Sequence, residues 1–244
     1  MSGPTASERR QSVRTGVVWD AVKAALADAV DRDSGGARII DIGGGTGGFA
    51  VPLAELGHHV QVIDPSPDAL AALDRRAAEK GVSDRVTGQQ GDLSDLAALG
   101  AEADMVLCHG VLEVVGDPLA GLAALAGVLR PGGTLSLLVG QRHAAVVARA
   151  MAGHFAAARE LLDDPTAGRG GRRFTLGEVN DLLAGAGLEV ASVRGVRIFA
   201  DLVPGSLLDL EPGATSALVD LERTVATRPE YLPLAAQLHV LARR

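Results

Sequence analysis

The chain of 244 residues has one cysteine, Cys108, two lysines, Lys23 and Lys80, and only 2% aromatic residues. A lone thiol excludes an internal disulfide and a cysteine zinc site. No other grouping of His, Asp or Glu suggests a metal. The scarcity of rings leaves few platforms on which nucleobases could stack. No apolar run reaches the ~18 residues of a membrane span, and Met1 to Arg10 has no signal-peptide apolar core; the expected location is cytoplasmic. Formal net charge is −7, so the surface as a whole is no nucleic-acid footprint and an RNA would need a local basic patch. The 47% hydrophobic content suffices for one full core with an insert or lid.

Glycine, by contrast, is concentrated at one informative place. Arg38-Ile39-Ile40-Asp41-Ile42 is a short β-branched run, and Gly43-Gly44-Gly45-Thr46-Gly47-Gly48 follows at once. This reads as a buried strand, a tight turn and a helix start. Glycines lack a Cβ, so a ligand can lie directly on such a backbone, and a helix N-terminus offers free N–H donors. The Gly43-x-Gly45-x-x-Gly48 spacing also fits a dinucleotide fingerprint. Asp41, before the glycines, suits a ligand with a cationic amine. S-adenosylmethionine has one, and the pyrophosphate of NAD does not.

Strands alternate with helices through the first 140 residues. Helix 17–30 presents Val18, Trp19, Val22, Leu26 and Val30. Strands are expected at 38–42, 60–64, about 85–89, 104–108 and 134–139, with helices at about 47–57, from Pro67 to Lys80 and at 118–129 between them. Gly57, Gly81 and the run Arg130-Pro131-Gly132-Gly133 serve as stops. The pattern implies a parallel, doubly wound Rossmann-like α/β sheet with ligands beyond the carboxyl strand ends. The last third differs. A helical stretch covers 143–162, a polar loop 163–173, and Thr175-Leu176-Gly177-Glu178 looks like a capping box. A strand at 188–199, a helix at 214–227 and a strand at 236–242 complete the chain. The organisation expected is a single domain, 1–244, with an N-terminal helix (11–32), a cap insert (141–175) and a C-terminal sheet edge (176–244).

Asp64 closes the second strand, where an acid accepts ribose hydroxyls in either reading. Asp41 and two further features separate the readings. Gly91-Asp92-Leu93 follows the third strand, where an acid can accept the adenine amino group. Arg130 to Leu135 precedes the fifth. Together with Asp41 these resemble the class I S-adenosylmethionine-dependent methyltransferases. Cys108-His109-Gly110-Val111-Leu112-Glu113, Met151 to Phe155, Gly195-Val196-Arg197-Ile198-Phe199 with Asp201, and the stretches around Glu222, Tyr231 and His239 resemble the bacterial tRNA 5-carboxymethoxyuridine methyltransferases. The likeness runs from Arg14 to Arg244.

That resemblance implies a seven-stranded sheet of order 3-2-1-4-5-7-6 with strand 7 antiparallel, plus a helical cap. It implies S-adenosylmethionine held by Arg14, Asp41, Gly43, Gly44, Gly45, Gly47, Asp64, Pro65, Gly91, Asp92, Leu93 and His109. The substrate would enter near His109, Gln141 and Arg197. His109 reads as a base, as a residue that positions the cofactor, or as packing under the cap. Arg197 reads as half of a structural ion pair or as the partner of a substrate carboxylate. Asp92 also suits a helix N-cap.

The departures fall on the substrate side. The family's lysine-rich cap loop is Gly168-Arg169-Gly170-Gly171-Arg172-Arg173 here, an aromatic–amide pair is Gly140-Gln141, and a tyrosine is Leu202. The acceptor implied is tRNA carrying 5-carboxymethoxyuridine; the alternative is a small carboxylate or hydroxyl metabolite with the same donor. A carboxylate acceptor, which ordinarily titrates at roughly pH 3.5 to 4.3, is ionised at neutral pH and needs no general base.

Overall fold

The computed structural model describes residues 6–29, 35–100, 102–168, 170–210 and 213–244. Seven strands form one sheet of order β3-β2-β1-β4-β5-β7-β6. They are β1 (Arg38–Ile42), β2 (His59–Asp64), β3 (Val86–Gln90), β4 (Ala103–His109), β5 (Leu129–Gly140), β6 (Glu189–Val196) and β7 (Gln237–Arg243). β1 to β5 pair in parallel. β7 runs against β5: Gly132 N–H donates to the Arg244 carbonyl at one end, and Gln141 N–H to the Ala236 carbonyl at the other.

The helices are α1 (Ala6–Ala29), α2 (Ala50–Glu55), α3 (Pro67–Lys80), α4 (Pro118–Val128), α5 (Arg142–Met151), α6 (Phe155–Asp163), α7 (Leu176–Gly185), α8 (Gly205–Leu210) and α9 (Ala214–Val225). None is long and apolar enough to cross a membrane. The chain divides into two compact units. The larger comprises Ala24–Leu138, Gly177–Ser192 and Val240–Arg244; the smaller comprises Met1–Lys23, Val139–Leu176 and Val193–His239.

In the larger unit the central strands read as near-continuous apolar runs, interrupted by Asp41 in β1 and Gln61 in β2, because both faces are covered. Ile39, Ile40, Ile42, Val62, Ile63, Met105, Val106 and Leu107 are all buried; each such side chain is worth about 1.5–3 kcal/mol relative to exposure. Helix starts follow capping chemistry. Ser66 Oγ accepts from Ala69 N–H before Pro67, and Asp117 Oδ1 accepts from Leu119 and Ala120 N–H before Pro118. Lys80 lies in the last turn of α3, and Gly81, at φ 69°, closes it. Arg130 Nε donates to Asp104 Oδ1 at 2.5 Å, while Asp104 Oδ2 accepts from Arg38 N–H at 2.7 Å. One carboxylate thus ties the amino ends of β1 and β4 to the second residue of β5.

Several boundaries differ from expectation. The expected helix at 47–57 shrinks to Ala50–Glu55 because residues 46–49 stay in turns. β5 begins at Leu129 rather than Thr134; its first residues bulge, with Ala103 opposite Leu129 and Met105 already opposite Thr134. The stretch 143–162 is two helices, broken where Gly153 adopts φ 79°. β6 stops at Val196 rather than 199 because Arg197 takes φ 57°. α1 starts at Ala6, ahead of the expected 11, and Val30 lies outside the described residues.

Candidate functional site

The larger unit brings Asp41, Asp64 and His109 to the carboxyl ends of β1, β2 and β4. β1 lies between the other two, with Asp41 registered against Val62 and Leu107. Here the strand order reverses, the place where open α/β sheets bind ligands.

The loop after β1 is shaped by what its glycines leave out. Gly43, Gly45 and Gly47 have φ of 67°, 56° and 79°, values that L side chains resist. A Cβ on Gly44 would come within 2.5 Å of Asp41 Oδ2, so the backbone passes directly over the carboxylate. Asp64 holds the same loop from the neighbouring strand. Its Oδ2 accepts from Gly45 N–H and its Oδ1 from Ser66 N–H, both at 2.9 Å. Each carboxylate oxygen keeps a second lone pair for a further donor. Pro65 follows immediately, and its carbonyl accepts from Gln90 Nε2 at 3.2 Å.

Asp41 is only 3% exposed. Burial, reinforced by the Asp64 charge, pushes its carboxyl up to about 7. A cation placed on it would favour ionisation again. After β3, Gly91 N–H donates to the Asp64 carbonyl at 3.3 Å. Asp92 is exposed and forms a capping box: its side chain accepts from Ser94 N–H and Ser94 Oγ, and Asp95 Oδ2 accepts from Asp92 N–H. The Ser94 hydroxyl and N–H hold its carboxyl below the usual range. The cap role is therefore realised, and the side chain also reaches solvent. Leu93 beside it is buried.

His109 ends β4. Its Nε2 lies 2.9 Å from Ser136 Oγ, and its ring meets Phe49 edge-on at 4.8 Å between centroids. Burial lowers its pKa to about 4, so the imidazole is neutral at physiological pH. A base tuned that low takes protons poorly near pH 7. Phe49 and Ser136 were not singled out in the sequence; the only signal for Phe49 was its place directly after the glycine run. Cys108 is buried, its thiol pushed up to about 12 by burial first and by Glu113 second, which makes it inert. Arg14 lies on α1, its side chain outside the described residues.

The smaller unit holds two of the residues expected on the substrate side, Gln141 and Arg197. Gln141 is buried. Its Oε1 accepts from His143 and Ala144 N–H, and its Nε2 donates to the Leu232 carbonyl at 2.9 Å. The amide is spent on capping α5 and tying down a distant turn, which corrects the substrate role expected of it. Arg197 sits one residue past β6 and pairs with Asp201, Nη2 to Oδ2 at 2.6 Å. The structural ion pair foreseen for it is present. Its turn is held by Glu222 of α9, which is 1% exposed and accepts from Ile198, Phe199 and Ala200 N–H at 2.9, 2.7 and 2.7 Å. Nothing local in the sequence marks Glu222, because its partners lie more than twenty residues away. Of the loop arginines, Arg172 lies 6.0 Å from the centre of the Phe174 ring, and Arg169 lies outside the described residues.

Residues 39–133 match a family described as a methyltransferase domain. The tRNA 5-carboxymethoxyuridine methyltransferase of Escherichia coli (strain K12) is 31% identical over 251 residues, covering 99% of this chain and 90% of that protein. A ubiquinone biosynthesis O-methyltransferase of Cereibacter sphaeroides is 32% identical over 184 residues, 72% of each chain. Among solved structures, a magnesium protoporphyrin IX methyltransferase from Synechocystis PCC 6803 with bound SAH superimposes with a TM-score of 0.61 at 18% identity, covering 100% of this chain and 90% of that one. A [4+2]-cyclase, SpnF, gives 0.59 at 20% identity, covering 92% and 80%, so the fold alone does not dictate the reaction. The near full-length relationship does more than the fold can: the chain belongs to the tRNA 5-carboxymethoxyuridine methyltransferase family, within the S-adenosylmethionine-dependent methyltransferases of class I fold.

Proposed function

We propose that this methyltransferase esterifies a carboxylate, that of 5-carboxymethoxyuridine in a tRNA. The observation that carries the acceptor class is the state of His109. The imidazole at the end of β4 is neutral and has its pKa near 4, a poor tool for deprotonating a hydroxyl. A carboxylate arrives already ionised at neutral pH, with a pKa of roughly 3.5 to 4.3. The tRNA itself is supported by the relative that matches 99% of this chain.

The residues of the larger unit fit S-adenosylmethionine on chemical grounds. Asp41 lies buried directly beneath the bare backbone at Gly44, an anionic group against the loop that would carry the amino-acid end. Asp64 retains lone pairs for ribose hydroxyls while its carboxylate holds the loop. Asp92 and the Gly91–Leu93 segment suit the adenine edge. His109, fixed between Ser136 and Phe49, positions what lies beyond β4 rather than moving a proton. When bound, the cofactor supplies a methyl group activated by the sulfonium charge, so a carboxylate oxygen pair forms the new C–O bond and the C–S pair leaves on sulfur. No proton changes hands. The protein's task is orientation, for which effective molarities of ~10⁵ M and above are known.

The net charge of −7 favours a second reading, a small carboxylic metabolite with the same donor. Incubation with methyl-labelled S-adenosylmethionine, tRNA lacking the ester and a metabolite extract decides. Label recovered as the methyl ester of 5-carboxymethoxyuridine in nucleoside digests is the expected result. Label confined to small molecules would replace the tRNA reading.

A further inference from the structure

Within the smaller unit a cavity of about 270 Å³ is walled by three guanidinium groups, Arg149, Arg173 and Arg197, with Asp201 its one carboxylate. Asp201 is already committed to Arg197 at 2.6 Å, so Arg149 and Arg173 carry the uncompensated charge. Arg149 Nη2 donates to the Ala167 carbonyl at 3.2 Å. Its Nη1, and Nε of Arg197, are enclosed without a hydrogen-bond partner among the described residues. Unmet enclosed donors on a cation are destabilising unless something accepts from them.

Glycines make the room. A Cβ on Gly168 would come within 2.5 Å of Arg149 Nη2, and one on Gly140 or Gly170 would collide with the Arg173 guanidinium. At Gly168, Gly170 and Gly140 a side chain is missing where the two guanidinium groups lie. Val147, Ile198 and Leu234 give the cavity apolar walls, which strengthen charge pairing inside it. Its volume falls below the about 300–1,000 Å³ that encloses a drug-sized ligand, a size suited to one charged substituent. Planar guanidinium forks match oxyanions bidentately.

We propose that this cavity is an oxyanion site in which Arg149 and Arg173, rather than Arg197 alone, hold a carboxylate or phosphate group of the methyl acceptor. The inference rests on the acidic acceptor proposed above, and its test separates the two. Inorganic phosphate, compared with chloride at matched ionic strength, should raise the melting temperature of the wild-type protein and lose that effect in the Arg149→Gln/Arg173→Gln double variant. This arm needs no methyl acceptor. In turnover, the double variant should raise KM at least tenfold, with the affinity for S-adenosylmethionine unchanged. A rise with the free nucleoside 5-carboxymethoxyuridine assigns the anion to its carboxylate; a rise only with an anticodon stem-loop assigns it to the phosphate backbone. Should the double variant not fold, Arg149→Lys and Arg173→Lys keep the charge and lose the fork, and a several-fold rise in KM is expected. Equal phosphate stabilisation of wild type and variants, or unchanged KM for both acceptors, would overturn the oxyanion site. Phosphate protection that depends on the arginines, with no methylation of either acceptor, would uphold the site and remove the proposed acceptor.

Discussion

Burial neutralises two groups at the carboxyl strand ends, one acid and one base. Asp41 is raised to about 7 and His109 lowered to about 4, so neither is fully charged just below neutrality. For Asp41 the linkage runs opposite to the usual carboxylate. The folded state binds its proton more tightly than the unfolded chain, whose value is 3.8. Its contribution to stability is therefore complete below that pH and is lost as the pH climbs towards 7. Asp41→Asn cannot ionise, so the variant should gain thermal stability relative to wild type at pH 8 and show little gain at pH 4. It should also lose affinity for S-adenosylmethionine, because the cationic amine loses its counter-charge. Melting curves at the two pH values check the first part and calorimetry the second; an identical difference at both pH values would remove the Asp41 titration. A kinetic consequence belongs to the same residue. Cofactor capture improves as Asp41 ionises, so kcat/KM for S-adenosylmethionine should rise through about pH 7. His109 and a carboxylate acceptor have both finished titrating by pH 6, so kcat should stay flat from there to pH 8. A kcat that follows a group near neutrality would instead restore a general base.

Among the elements, the turn after β6 shows most clearly what sequence reading can and cannot see. The run Gly195 to Phe199 was legible as a strand, because apolar residues dominate it. That the strand stops at Val196 was not, because the cause lies on α9. Glu222 gathers three successive N–H groups, from Ile198, Phe199 and Ala200, and so stabilises the left-handed backbone at Arg197. No periodicity connects positions that far apart. Glu222→Gln keeps the shape but offers one acceptor oxygen for three donors. The variant should lose about 1–3 kcal/mol of stability, and KM for the acceptor should rise while the affinity for the cofactor holds. Unchanged KM with reduced stability would make Glu222 a fold-holding residue only. The loop 163–173 offers a complementary variant. A Cβ at Gly170 meets only the far end of the Arg173 side chain, which can swing away. Gly170→Ala should therefore cost little stability while weakening acceptor binding, as measured by KM beside a melting curve.

Over the whole molecule, the sheet was readable and the polar cavity was not. β1, β2, β4 and the later part of β5 announce themselves as mainly apolar runs closed by Gly or Asp and buried on both faces, whereas the edge strand β3, with only Val86 buried, is marked by its length and by Gly91 after it. The candidate cofactor residues are marked in the same way: Asp41, the glycines and Asp64 sit at the ends of those runs. Arg149 has no such marker, since it becomes informative only when the turn at Gly153 and the glycines of the later loop bring Ala167 and Gly168 against it. Charge is the one global property the sequence delivers complete, and it makes a demand of its own. A net −7 repels a polyanion at long range, so the proposed tRNA acceptor would have to be held by few, local contacts. With two or three arginines meeting phosphates, log K should fall with log salt at a slope of about −1.5 to −2, since each phosphate contact on a single-stranded region contributes ~0.7. Filter-binding or fluorescence titrations of an anticodon stem-loop between low and physiological salt measure it. A slope of about −5 or steeper would require an extended basic surface, and recognition of the acceptor could then no longer be confined to one small cavity and its guanidinium groups.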